Sequence, residues 1–461
     1  MNKWICAQLS ALLFFQIAVS SAAEQAEDFV GFATGVKVGE VTQTEAIIWA
    51  RITSVETGNT LVSEGSAPGA LGGVEIAYRI EDSKEDYVTV ERQVVAADSD
   101  YITQISLTNL KPNNSYVFTA TAYSETGKKG KTVEGKFRTP AEADSVVDVT
   151  AVVVTCQGLG SVDDKKKGHW VYSEMLKHNP DFFIHTGDVV YYDRRSVQPY
   201  SKTVDACRQR WARMFSHEWN RDFNSQVSSY FMKDDHDVLK DDCWPGQTFG
   251  ELTFKKGLEL FAEQTPQREL PYRKVRWGKD VEIWMLEGRD YRTKNPAPDG
   301  PEKTLLGARQ KAWLKKTLKE SDSTFKLVVF PSPVVGPDKK GKKDNHSNPT
   351  YATEGKELRE FLAGVNNTYI VCGDRHWQYG SQDPETGIIE VCPGPINDEH
   401  TKRGGNMHED KNYQFYFGKG KGGFLKIFVT RREGKPQITF TWHGDRDNQG
   451  KVNFEKTYVK K

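Results

Sequence analysis

Four stretches of the chain carry side chains whose types suit metal binding: Cys156-Gln157, Gly187-Asp188-Val189-Val190-Tyr191, Asp234-Asp235-His236-Asp237 and Gly373-Asp374-Arg375-His376. A thiolate, a phenolate, carboxylates and imidazoles make a poor kit for a serine hydrolase and a good one for more than one metal ion. Cys156 and Tyr191 are anionic ligands suited to a trivalent or thiophilic ion, and His376 is of the type that iron and zinc take. Singly, each stretch is weak, because Gly and Asp are ordinary turn residues and acids broken by one His are ordinary on a solvated loop. Their shared position gives them weight, since three follow a short apolar run directly and the fourth follows one within a few residues.

Those runs read as strands. Asp181 to Ile184, after Pro180, has the pattern of a buried parallel strand, and Gly187 permits a tight exit that leaves Asp188 at its end. Val152-Val153-Val154-Thr155 reads as the strand before it, with a helix between Gly168 and His178, so Cys156 and Asp188 land at adjacent strand ends. Carboxyl ends of strands are where open α/β sheets bind ligands. Ser229 to Met232 delivers Asp235 and His236 in the same way. Val281 to Leu286, Phe325 to Phe330 and Thr368 to Cys372 are further strands. The last delivers Asp374 and His376, which extended backbone would turn to one side. A helix is expected around Ala308 to Glu320, with Trp313, Leu314 and Leu318 as core contacts. Gly423 to Ile427, Gln437 to Trp442 and Thr457 to Val459 read as antiparallel strands completing a second sheet. The polar and aromatic stretch from Tyr192 to Asn224 is expected to fold over the site, and Lys339-Lys340-Gly341-Lys342-Lys343 reads as a solvated loop.

Residues 29–140 form a different unit, an all-β module with strand runs at Ala46 to Ala50, Val74 to Tyr78 and Tyr116 to Ala120. Thr139 to Asp144 is a linker, and 146–461 is the α/β domain. The first 23 residues, with Lys3, an apolar run from Trp4 to Ala18 and small residues up to Ala23, describe a secretory signal peptide. The run is shorter than the roughly 20 residues of a spanning helix, so a secreted or periplasmic protein without a membrane span is expected. Lys plus Arg, at 63, equal Asp plus Glu, at 63, which argues against nucleic acid as the main partner. Without Cys6 the chain keeps Cys156, Cys207, Cys243, Cys372 and Cys392. If Cys156 is a ligand, the other four could form two disulfides, for example Cys207–Cys243 and Cys372–Cys392, though four cysteines allow three connectivities.

Taken in order, the four stretches resemble the calcineurin-like metallophosphoesterases, and most closely the PhoD-type alkaline phosphatase family. That family carries Cys-Gln, Gly-Asp-x-x-Tyr, Asp-Asp-His-(Glu/Asp) and Gly-Asp-x-His, as at Cys156, Gly187, Asp234 and Gly373 here. Phe32 to Val36 with Ile48 to Arg51, Tyr272-Arg273 with Trp277-Gly278, and Leu306 to Leu314 resemble its other signatures. Leu110 to Tyr116 resembles the corner of fibronectin type III sandwiches. The resemblance implies an α/β fold: a fibronectin-III-like β-sandwich followed by a metallophosphoesterase domain of two mixed sheets flanked by helices. It also implies a bridging role for Asp188 between ions. Fe³⁺ would be held by Cys156, Asp188, Tyr191 and His376, and Ca²⁺ by Asp188, Asp235 and Asp374, since an oxygen-only site favours Ca²⁺ over Zn²⁺. The single Lys3 departs from the twin-arginine leader common among such precursors.

The activity so implied is phosphate ester cleavage, of monoesters with diesters as the further option, by a metal-held hydroxide or oxide attacking in line. His236 is the candidate for protonating the leaving group, and Arg375 for holding a phosphate oxygen, with Arg289 as a second phosphate contact. The competing readings are a phospholipase D-like phosphodiesterase on the same scaffold and a non-catalytic binding protein with a decayed hydrolase domain.

Overall fold

The computed structural model describes residues 29–59, 66–194, 199–339, 341–402 and 409–460. The expected signal peptide and Cys6 lie outside the described residues. Two large mixed sheets lie face to face. The first has nine strands, in the order Val452–Val459, Lys435–His443, Phe424–Arg432, Val149–Val154, Phe182–His185, Ser228–Phe231, Val36–Gly39, Ala46–Arg51 and Ile102–Leu107. The second has seven, in the order Arg273–Trp277, Val281–Met285, Phe325–Phe330, Thr368–Cys372, Ile389–Cys392, Gln378–Gln382 and Gln414–Gly418.

Period-two alternation explains why the central strands are apolar without a break. Ala151, Val153, Phe182 and Ile184 point between the sheets, where they join Ile283, Leu327, Val329 and Val371. Val152, Val154 and Phe183 point the other way, against Tyr172, Met175, Trp211, Phe215, Phe223 and Phe261. The helices Val171–Leu176, Val204–Phe215, Glu218–Asn224 and Phe254–Gln264 supply that outer layer. Gly307–Glu320 and Ala352–Ala363 cover the second sheet through Leu314, Leu318, Leu358 and Leu362. Burial of each such large apolar side chain contributes roughly 1.5–3 kcal/mol. Thr203 and Thr253 start two of the outer helices by accepting from Ala206 N and Lys256 N at 3.2 Å each.

The N-terminal module pairs the strands Val88–Val95, Gly72–Ile80, Ser115–Ser124 and Lys129–Arg138 in one sheet. Tyr116 forms the corner read in the sequence, accepting from Lys111 N at 2.7 Å and stacking on Phe137 at 5.2 Å. The facing strands of the module are the last three of the nine-stranded sheet, so its hydrogen bonding runs into the α/β region. Gly39 pairs in parallel with Ser229 and Glu40 N donates to Ser229 O at 3.0 Å. A Cβ on Gly39 would stand 2.8 Å from both Pro266 and Ser229 O, so the approach needs glycine.

Three expectations are corrected here. The C-terminal strands extend the first sheet, with Leu425 paired to Val153, and do not complete the second. Much of the Tyr192 to Asn224 stretch forms two helices packed in the core through Trp211, Met214, Phe215 and Phe223. No disulfide links the described cysteines, all five being buried free thiols: Cys207 faces Ser201 O at 3.6 Å, Cys243 faces Asp235 O at 3.4 Å and Cys372 faces Tyr379 Oη at 3.1 Å.

Candidate metal centre

Three adjacent parallel strands of the first sheet and one of the second deliver their ends to one place. Each delivers its residue by a sharp turn. Cys156, Asp188 and Asp374 have φ of 52°, 59° and 63°, a left-handed conformation that costs a side chain about 1–3 kcal/mol. Hydrogen bonds hold the turns: Cys156 N donates to Gly187 O at 3.1 Å, Gln157 N to Asp188 O at 2.9 Å and Asp374 N to Thr155 Oγ1 at 3.3 Å. Gly187 has φ 114°, and a Cβ there would lie 2.7 Å from the Asp234 side chain.

Asp188 stands at the middle. Ligand atoms of Cys156, Asp188 and His376 lie within 4.8 Å of one another, and so do those of Asp188, Asp235 and His236. A third group, Asp235 with Asp241 and Asp242, continues toward the surface. The Oδ2 of Asp188 accepts from Tyr191 Oη at 3.0 Å and from Cys156 Sγ at 3.4 Å. Its Oδ1 is buried with no hydrogen-bond partner among the described residues, and so is Nδ1 of His376.

The electrostatics are those of an anionic cluster. Burial, then the Asp188 charge, pushes the Cys156 thiol well up, and burial with Asp188 and Cys156 does the same to the Tyr191 phenol. Burial pushes Asp188 up to about 6, opposed by His236 and reinforced by Asp235. Burial, His400 and Lys339 push His376 well down, which keeps its imidazole neutral and able to donate a lone pair. For His236 burial works against charge, yet Asp235, Asp188 and Asp193 together push it up to about 10. A cation at the centre fits this set: it would take up the unpartnered Oδ1 and Nδ1 and replace the protons that the thiol and phenol keep in its absence.

The remaining expected residues sit differently. Asp374 belongs to none of the three groups; its carboxylate lies against Arg375, and its backbone is left-handed rather than extended. Arg375 is buried and also paired with Asp338, so its guanidinium is bound to carboxylates on both sides. Arg289, 1 % exposed, donates through Nε to Asp234 Oδ1 at 2.6 Å and through Nη1 to Cys243 O at 3.2 Å. Its Nη2 also lies 3.9 Å from Asp235 Oδ1, so its charge is taken up by the carboxylates of the Asp234-Asp235 turn.

Sequence reasoning missed several supports. Asp237 accepts from Asp188 N at 2.7 Å and Val190 N at 3.0 Å, and Asp193 accepts from His236 Nδ1 at 2.6 Å. His400 sits between Tyr191 and Ser161, its Nε2 3.1 Å from Tyr191 Oη and its Nδ1 3.1 Å from Ser161 Oγ, with its ring 4.6 Å from that of His376. Asp237 closes one of the four motifs and Asp193 follows another by two residues, so both are open to suspicion in the sequence; His400 has no local pattern to mark it.

Comparison with known proteins places the chain in a family. The family described as PhoD-like phosphatase matches residues 151–443, and its N-terminal domain matches residues 18–141. Alkaline phosphatase D of Bacillus subtilis (strain 168) is 21% identical over 402 residues, covering 76% of this chain and 65% of that protein, just under two thirds of its length. Tartrate-resistant acid phosphatase type 5 of Oryctolagus cuniculus is 23% identical over 260 residues, covering 55% of this chain and 73% of that protein. Among solved structures the fold is shared with PhoD, at TM-score 0.75 and 18% identity over 93% of this chain and 90% of that one. It is shared also with the purple acid phosphatase PPD1 from yellow lupin (Lupinus luteus) seeds, at 0.63 and 11% over 94% and 74%. Matched in this way along most of its length, the chain belongs to the PhoD-like phosphatase family and is a metal-dependent phosphoric ester hydrolase of the metallophosphoesterase fold.

Proposed function

We propose that the chain is an exported phosphatase that holds Fe³⁺ through Cys156, Asp188, Tyr191 and His376, beside a Ca²⁺ site that includes Asp188 and Asp235. The observation that carries this is the place of Asp188, shared by a donor group containing sulfur and nitrogen and another rich in oxygen. Sulfur, phenol and imidazole suit iron, while carboxylates suit calcium. Asp241 and Asp242 enlarge the oxygen side, and Asp374 borders the centre through Thr155. When bound, the ions supply an activated water nucleophile and neutralise charge on the phosphoryl oxygens.

The chain's own residues do the rest. Asp193 fixes the His236 ring through Nδ1, and Nε2, 3.5 Å from Arg194 Nη2 and 3.7 Å from Asp241 Oδ1, is the atom that would give a proton to the departing alkoxide. Arg375 holds Asp374 and Asp338 in place at the rim. Monoesters and diesters both fit this description, and a phospholipase D-like diesterase would differ only in pocket shape. Lys3, the apolar run from Trp4 to Ala18 and the small residues up to Ala23 support export of the mature chain. Among the described residues no helix is long and apolar enough to cross a membrane.

Elemental analysis of the purified protein tests the reading. Near-stoichiometric iron together with calcium is expected. Zinc alone would remove Cys156 and Tyr191 from the ligand set, and a protein without metal or turnover after metal is supplied would favour a binding role.

A further inference from the structure

The arginines from which a phosphate contact was expected are bound to carboxylates, yet two other cations border the centre without such partners. Arg194 follows the Tyr191 turn. Its Nη2 lies 3.5 Å from His236 Nε2, its guanidinium is 5.6 Å from the centre of the Tyr191 ring, and its Nε is buried with no hydrogen-bond partner. Lys339 comes from the second sheet, on the loop after Phe325–Phe330, next to Asp338, whose carboxylate holds Arg375. Among the described residues no carboxylate lies within ion-pair distance of either side chain, although Tyr191, Asp193, Asp241 and Asp188 are near enough to favour the charge of Arg194, against burial.

Two residues of the basic stretch read from sequence as a solvated loop, Lys339 and Lys342, are partly buried, while Lys343 is exposed. Lys342 is taken up by Asp242 at 2.6 Å, and Asn345 Nδ2 donates to Asp338 at 2.7 Å, which pins the loop on both sides of Lys339. Lys339 is half-buried, and its charge is felt by Cys156 and His376. Burial, with Arg375 and Lys342 nearby, brings its ammonium down to about 8 against the opposing charge of Asp338.

We propose that Arg194 and Lys339 form a two-sided cationic clamp for the peripheral oxygens of the substrate's phosphoryl group, and that this clamp selects doubly charged phosphate monoesters over singly charged diesters. The inference rests on the phosphate-ester reading of the site. A monoester carries close to two charges at neutral pH, its second ionisation falling near pH 6, whereas a diester carries one. Attraction to a fixed cation scales with that charge and is strengthened where water is partly excluded. The planar fork of Arg194 suits two phosphoryl oxygens, and the ammonium of Lys339 suits one.

The test compares p-nitrophenyl phosphate with bis-p-nitrophenyl phosphate on the metal-loaded enzyme and its Arg194→Gln and Lys339→Met variants. In each variant the ratio of monoester to diester kcat/KM is expected to fall by at least about 10-fold, the loss of one charge-assisted contact. Metal content by elemental analysis should match the parent. Arg194→Lys and Lys339→Arg should recover most of the ratio, and they carry the test if a neutral variant does not fold. A ratio within about 2-fold of the parent in both neutral variants overturns the clamp. A parent enzyme that hydrolyses neither ester strikes at the phosphate-ester reading instead. Calorimetry with inorganic phosphate then decides the clamp: weaker binding in the variants upholds it, and unchanged binding overturns it.

Discussion

Asp237 holds the piece of backbone that carries Asp188. One of its oxygens accepts from Asp188 N at 2.7 Å and Asp234 N at 3.0 Å, and the other accepts from Val190 N at 3.0 Å. A single carboxylate thus ties two of the strand ends together at the point where Asp188 is forced into left-handed backbone. Asp237→Asn would set an amide NH₂ against these donors. Metal affinity should fall by about 10–100-fold, the usual effect of losing a support behind a ligand. Competition against a graded series of chelators checks this, and parent-like affinity would mean that the turn holds without the charge.

Asp188→Asn separates function from stability. Hydrolysis should drop below detection, because Asp188 joins the donor group of Cys156 and His376 to that of Asp235 and His236. The metal-free variant should be no less stable than the metal-free parent, since the change removes a buried carboxylate with an unpartnered oxygen. Urea unfolding of both proteins without metal, beside an activity assay with it, reads the two effects. Surviving turnover would take Asp188 out of the centre.

His400→Ala should loosen Tyr191 without touching a residue of the four motifs. The phenol loses a partner at 3.1 Å and the His376 ring loses its neighbour at 4.6 Å. Metal retention is expected to weaken by about 10-fold, with partial recovery in His400→Gln, which keeps a polar group in reach. Dialysis against chelator followed by metal analysis is the measurement. Identical retention in the alanine variant would reduce His400 to core filling.

Away from the centre, Glu354 makes stability depend on acid. Burial disfavours its charge, but His346 at 2.9 Å, Thr304 Oγ1 and Leu305 N at 2.6 Å more than offset this and bring it down from 4.5 to about 2. The stabilisation is complete above the unfolded value of 4.5 and is lost as pH falls through the folded value of about 2. Over that window it amounts to about 3 kcal/mol. Urea midpoints at pH 5 and pH 3 should differ less in Glu354→Gln than in the parent; equal slopes would assign the acid sensitivity elsewhere.

The strands that bear the centre were legible because burial on both faces leaves an apolar run with chemistry only at its end, as in Phe182–His185 before Asp188. The direction of the side chains was not. The backbone at Asp374 is left-handed and its carboxylate lies against Arg375, and no periodicity encodes that. The C-terminal hairpin read correctly as antiparallel strands, but the same pattern suits the edge of either sheet, and only packing against Val149–Val154 decides. His400 reaches Tyr191 across 209 residues on the four-residue helix Asp398–Thr401, too short to show a pattern. Lys342 looks solvated in sequence, since charge composition does not reveal the carboxylates that a loop meets on folding.

The parallel pairing of Gly39 with Ser229 makes the N-terminal module a splint for the strand that ends in the Asp234–Asp237 turn. Tyr230 Oη donating to Val41 O at 2.5 Å, Arg273 Nε donating to Glu40 at 2.7 Å and Trp49 Nε1 donating to Glu263 O at 2.8 Å lash it in place. Cutting the chain between the two regions would bare the edge of Ser228–Phe231 along with its unpaired backbone groups, an invitation to self-association. The module is therefore bonded into the frame of the enzyme rather than carried by it as detachable cargo.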